Sequence, residues 1–157
     1  MYIIGDGELR EYLSGYIVDE NMQDNVFLLG KQTNPFKYLA QCDCFVFASN
    51  NEGFPNVLVE AMACGLPIIS TDCKSGPREI LAPNSEDILF MQKDKVEFAM
   101  YGILTPIKDV QKLREAIKLM ISNSDIKAMY ANKSLIRARE FDIETIITKY
   151  KDVICVE

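Results

Sequence analysis

Short apolar runs alternate with longer amphipathic stretches along almost the whole chain. Tyr2-Ile3-Ile4, Val26 to Leu29, Cys44 to Ala48, Ile68 to Thr71 and Gly102 to Pro106 are brief and rich in branched or aromatic residues, which predicts strands. The intervening stretches space their apolar residues for helices. Glu8 to about Ile17 puts Leu9, Tyr12, Leu13 and Tyr16 on one face. Asn34-Pro35 supplies a capping residue and a first-position proline for a helix leading into Phe36, Tyr38, Leu39 and Ala40. Pro77 to Leu81 is a short helix beginning with proline. Asp109 caps a helix to about Ile121 with Leu113, Ile117 and Met120 or Ile121 inward. Ser124 to Glu140 follows, and Asp142 starts a last helix carrying Ile143, Ile146, Ile147 and Tyr150. Strands alternating with helices in this order build parallel α/β sheets. The unbroken run Cys44 to Ala48 reads as a strand buried between two helical layers.

Phe47 to Thr71 condenses the pattern into one unit. The end of an apolar run crosses a Ser-Asn-Asn-Glu-Gly-Phe-Pro loop into a helix, which Gly65 and Pro67 stop before the next strand. Glu60 is the only charged residue between Gly53 and Thr71, so this helix is expected to be buried on more than one face. Its N-terminus offers free backbone N–H groups suited to phosphate, with Gly53 letting a ligand approach the main chain. Glu60, about one turn in, is placed to accept hydrogen bonds from hydroxyls. The alternative is a purely structural helix in which Glu60 pairs with an arginine elsewhere. Lys31 and Gln32 follow the Val26 to Leu29 strand at its C-terminal end, where open α/β sheets bind ligands; an ordinary surface turn is the competing reading.

Composition narrows the chemistry. With 157 residues, 48% of them hydrophobic, the chain can bury one core, and one domain is expected. A net charge of −6 argues against nucleic acid as a partner. There is no histidine, which rules out a histidine general base, a Ser-His-Asp triad and an H-E-x-x-H zinc site. Five cysteines without a C-x-x-C pattern read as reduced, small apolar residues of a cytosolic chain. No apolar run reaches the length of a membrane span, and the first residues lack the pattern of a signal peptide. Gly5-Asp6-Gly7 imitates a dinucleotide fingerprint, but Arg10 stands where its third glycine belongs. The basic residues Lys127, Lys133, Arg137 and Arg139 read as a solvated helix face.

The run Glu52-Gly53-Phe54-Pro55-Asn56-Val57-Leu58-Val59-Glu60-Ala61-Met62-Ala63-Cys64-Gly65-Leu66-Pro67 resembles the Glu-x7-Glu signature of glycosyltransferases of the family 4 type, retaining enzymes of GT-B fold. Ser70-Thr71-Asp72 and Gly76-Pro77-Arg78-Glu79-Ile80 continue the match. Ile4-Gly5-Asp6-Gly7, Phe27-Leu28-Leu29-Gly30 and Asn34-Pro35-Phe36 precede it in the family's order. The resemblance implies an α/β, Rossmann-like open parallel sheet of five or six strands with helices on both faces, the C-terminal lobe of a GT-B enzyme. It implies a nucleotide sugar as donor, a glycan or lipid-linked acceptor, and neither cofactor nor metal. Glu52 would sit against the donor sugar, and Glu60 would hold ribose hydroxyls. The N–H groups from Phe54 to Val57 (Phe54, Pro55, Asn56, Val57) would meet the departing diphosphate, and Lys31 and Gln32 would edge the base.

In the family, a strand, a glycine-rich turn, basic residues that clamp the diphosphate, and an entire acceptor-binding domain come before the point where this sequence starts. Residues 1–157 are therefore expected to form a single partial donor-binding domain, prone to self-association and inactive alone. The full-length enzyme is expected in the cytoplasm or at the inner face of the membrane, with surface-polysaccharide synthesis as the setting. An inactive nucleotide-sugar-binding or subunit fragment, and another GT-B enzyme such as a sugar-nucleotide epimerase, remain open. Ala82 to Tyr101 departs from the plainest family pattern as an insertion, with Val96, Phe98, Ala99 and Tyr101 available to pack on the sheet edge.

Overall fold

The computed structural model describes residues 1–85 and 95–154. The chain forms two compact units, Met1–Lys37 and Tyr38–Glu157. In the first, β1 (Tyr2–Ile4) and β2 (Phe27–Gly30) pair in parallel, joined through α1 (Arg10–Asp19). The unit boundary falls within the short helix α2 (Phe36–Leu39). The face of α1 that sequence spacing turns inward is open instead. Leu9, Tyr12 and Tyr16 are exposed, and α1 buries no residue. Two strands are too narrow a platform to seal a ten-residue helix, and clefts of about 230 and 400 Å³ lie beside Arg10, Leu28 and the helix.

The second unit carries the core. Its strands are β3 (Phe45–Phe47), β4 (Ile68–Thr71), β5 (Glu97–Phe98) and β6 (Ile103–Thr105), in the order β3-β4-β6-β5. The helices are α3 (Asn56–Ala63), α4 (Pro77–Leu81), α5 (Val110–Ser122), α6 (Ser124–Arg139) and α7 (Ile143–Ile154). Alternation along β4 and β6 splits the core in two. Ile68 and Leu104 join Leu58, Ala61 and Met62 of α3 and Ile80 and Leu81 of α4. Ile69 and Ile103 join Ala116 and Met120 of α5 and Tyr130 of α6. Every residue of β4 is buried, as a strand with helices on both faces requires.

The six strands pair as two sheets rather than one, and β5 runs antiparallel to β6. That two-residue edge strand forms where the sequence suggested only an insertion packing on the edge. Ala99 is buried and Val96 and Tyr101 pack on the core, but Phe98 faces solvent. The remainder of that insertion, residues 86–94, lies outside the described residues, as does Cys155. Nor is β3 enclosed. It stands first in its sheet, and Val46 is exposed. In α5, Met120 turns inward and Ile121 outward. No helix among the described residues is long and apolar enough to cross a membrane.

Candidate functional site

The loop after β3 is fixed by the strand next to it. The Thr71 hydroxyl donates to the Ser49 carbonyl, and the Ser49 hydroxyl donates to the Asn51 carbonyl at 3.2 Å. Asn51 then bridges Lys74 in the parallel sense, continuing the register that pairs Phe47 with Ser70. Glu52 follows, half-buried. Burial pushes the Cys73 thiol pKa up, and the nearby Glu52 carboxylate pushes it further in the same direction.

Gly76 closes the floor beneath this loop. It has a φ of +88°, and a Cβ built there would lie 2.2 Å from Pro55 Cδ and 2.6 Å from the Gly53 carbonyl oxygen. Only glycine meets both demands. Gly76 also leads into α4, and its N–H is 3.4 Å from Glu79 Oε1. Within α4, the Arg78 guanidinium donates to both carboxylate oxygens of Asp72 and to both of Glu97, at 2.6 and 2.7 Å for the shortest contacts. Burial lowers the Arg78 pKa, but the bonds to Asp72 and Glu97 outweigh it and hold the charge.

Pro55 precedes α3 and offers no N–H. Asn56 N–H turns back to the Phe54 carbonyl, and Leu58 N–H takes that of Pro55. Among the described residues, no backbone acceptor takes the N–H of Gly53, Phe54 or Val57. The first turn carries no side-chain cap and no acidic residue, so the positive end of the helix is not neutralised. Phe54 and Val57 are exposed beside it. Leu58, Ala61 and Met62 bury one face of α3 while Val57 and Ala63 remain open, so the helix is not enclosed on several sides as its composition suggests. Glu60 is half-buried on the open side of the helix, between Val57 and Ala63 in helical angle. No basic group among the described residues pairs with it. The structural ion pair with an arginine is therefore absent there. Burial raises the Cys64 thiol pKa, and the Glu60 charge adds to the rise.

Lys31 and Gln32 belong to the first unit, the other sequence-derived site residues to the second. Lys31 is exposed after β2, and Gln32 donates from Nε2 to the Leu29 carbonyl at 2.6 Å. No group of three or more cysteine, aspartate or glutamate side chains among the described residues is gathered to hold a metal ion. Thr71 and Gly76 carried no assigned role in the sequence, although Gly before Pro-Arg-Glu hinted at a forced turn. Arg137 departs from its reading as part of a solvated face. It is only 8% exposed, donates to the Ile80 and Glu79 carbonyls at 2.9 and 2.8 Å, and stacks on Tyr101 and Phe141. Its spacing matched the other basic residues of α6, and only the rings of Tyr101, between β5 and β6, and of Phe141, just after α6, distinguish it.

Comparison with known proteins accords with this arrangement. A profile of the glycosyl transferases group 1 family matches residues 1–136. An uncharacterized glycosyltransferase of Methanocaldococcus jannaschii is 42% identical across 96% of this chain and 40% of its own length. The Campylobacter jejuni N-acetylgalactosamine-N,N'-diacetylbacillosaminyl-diphospho-undecaprenol 4-alpha-N-acetylgalactosaminyltransferase is 34% identical across 90% of this chain and 35% of its own. The chain thus spans well under half the length of these relatives. Among solved structures, Anabaena HepE in complex with UDP-glucose shares the fold, with a TM-score of 0.77 and 24% identity over 98% of this chain and 40% of that one. The α/β core, the Glu-x7-Glu helix it supports and a family match along most of the sequence lead to one conclusion: this chain belongs to the glycosyl transferases group 1 family.

Proposed function

We propose that this chain is the donor lobe of a retaining glycosyltransferase of the family 4 type, binding a nucleoside diphosphate sugar. The observation that carries the reading is the start of α3. It combines untaken N–H groups, no acidic side chain in its first turn, and a Glu60 carboxylate with no basic partner among the described residues. The diphosphate would lie against the N–H groups of Gly53, Phe54 and Val57, where dipoles oriented before the reaction stabilise the charge of the leaving group. Glu60 would accept hydrogen bonds from ribose hydroxyls. Glu52 would face the sugar and stabilise positive charge as the glycosidic bond breaks. No metal is invoked, because the leaving charge has these N–H groups to meet it.

The Campylobacter relative is named for sugar transfer to a diphospho-undecaprenol-linked saccharide, and HepE is seen with UDP-glucose. The second supports a nucleotide sugar as donor, and the first a lipid-linked glycan as acceptor. Because the relatives are more than twice as long, we infer that transfer requires an acceptor-binding part beyond the lobe. Calorimetric titration of the chain with UDP, GDP, ADP and their glucose conjugates tests the reading. Binding of at least one diphosphate, without sugar transfer, is expected. The absence of binding across the panel would sink it.

A further inference from the structure

The C-terminal end of α6 reaches three parts of the candidate site at once. Ser134 donates from its hydroxyl to the Leu66 carbonyl at 2.7 Å, holding the turn that ends α3. Arg137 donates to the last carbonyls of α4, the helix that Gly76 begins beneath the 53–55 loop. The same guanidinium lies 4.7 Å from the centre of the Phe141 ring and 5.2 Å from that of Tyr101, while Glu140 takes its remaining nitrogen. Phe141 in turn meets Phe54, ring centre to ring centre at 5.7 Å. A buried guanidinium is a costly element for a core that needs only packing. Here its planar shape fixes two rings and two carbonyls in one orientation, which an aliphatic side chain cannot do.

We propose that Arg137 and Phe141 are positioning residues for the loop that carries Glu52. Arg137 orients Phe141, Phe141 holds Phe54, and the α4 contacts keep Gly76 beneath Pro55. The loop is thereby gripped from its exposed side and from its floor before any ligand arrives. The role deepens the donor-lobe reading and rests on it for its functional meaning, but the restraint itself exists without ligand. Neither residue touches the reacting atoms.

The chain has no tryptophan, so Phe54→Trp introduces a single indole that reports on the loop. In that background, Phe141→Ala is expected to raise acrylamide quenching of the indole about twofold, because the loop is no longer shielded by its partner ring. Phe141→Tyr restores the quenching to its starting value. Arg137→Lys keeps the charge but not the planar stack, and is expected to raise quenching even in folded protein well below its melting temperature. UDP affinity measured in parallel should fall about three- to tenfold with Phe141→Ala, the equilibrium equivalent of one aromatic pair. Arg137→Lys should lower UDP affinity as well, and the two losses should combine non-additively in the Arg137→Lys, Phe141→Ala double variant, since both act through one contact. Unchanged quenching in Phe141→Ala would overturn the proposal, as would a lower melting point with neither quenching nor affinity altered. A chain that binds none of UDP, GDP and ADP would count against the donor-lobe reading alone, because the quenching still decides whether the loop is held.

Discussion

Glu60 separates a binding role from a structural one at the level of a single atom pair. With no basic group against its carboxylate among the described residues, Glu60→Gln should leave the melting temperature unchanged. It should weaken nucleoside diphosphate binding by about 1.5–3 kcal/mol, the worth of charge-assisted hydrogen bonds. Calorimetry beside a thermal melt reads both quantities, and a drop in melting temperature at constant affinity would contradict the role. Gly53 is a second test, because a Cβ built there meets nothing within 4 Å. Gly53→Val should therefore fold normally and still lose affinity, since a branched side chain would stand over the N–H groups. Gly76 behaves oppositely. Gly76→Ala drives a methyl into Pro55 at a left-handed φ, and urea denaturation should show a loss of about 1–3 kcal/mol or more. These positions differ in how openly the sequence displays them. Glu60 stands out as the lone charge of an apolar helix and Gly53 as the glycine just before that helix, whereas Glu52 is singled out only by the family resemblance. Gly76 lies more than twenty residues from the loop it supports, and nothing local says that the two backbones touch.

Among the elements, the helices and parallel strands of the core were legible because their apolar periods match what the core buries. Pro77–Leu81 forms the helix its opening proline suggests, and Asp109 and Asp142 both cap as read, accepting from Lys112 and Thr145 N–H. What escaped were elements whose environment is set by neighbours distant in sequence. The run at β3 is as apolar as that at β4, and only its place in the strand order leaves Val46 exposed. The α4 helix depends on such a neighbour as well. Its Arg78 answers to Asp72 at the end of β4 and to Glu97 on β5, with the Arg78 and Asp72 side chains 9% and 6% exposed. Arg78→Met would strand two carboxylates and should cost about 3–5 kcal/mol in a urea titration. A cost below about 1 kcal/mol would mean that the carboxylates find water as readily as they found arginine.

At the scale of the whole molecule, stability should fall on the alkaline side. Burial, aided by Asp43, pushes the Cys44 thiol from its ordinary 9.0 to about 12, and burial with Glu97 pushes the Tyr130 hydroxyl to about 12. A thiol whose folded pKa is raised keeps its proton where the unfolded chain has lost it. The resulting stability is whole below about pH 9 and drains away as pH climbs towards 12. Urea midpoints measured from about pH 8 to 11 should decline, and Cys44→Ala should flatten the decline without erasing it, because Tyr130 still titrates. An identical slope in the variant would show that Cys44 takes no part. The register between β3 and β4 outlasts the strands themselves. Asn51 faces Lys74 at the same offset that pairs Phe47 with Ser70, so the two loops are indexed to each other, residue against residue. Their lengths are therefore not independent. A residue inserted into either loop alone would shift Glu52 against Gly76, whereas matched insertions in both would keep the pairing. In this chain, substitutions within either loop should therefore be tolerated better than a change in the length of one of them.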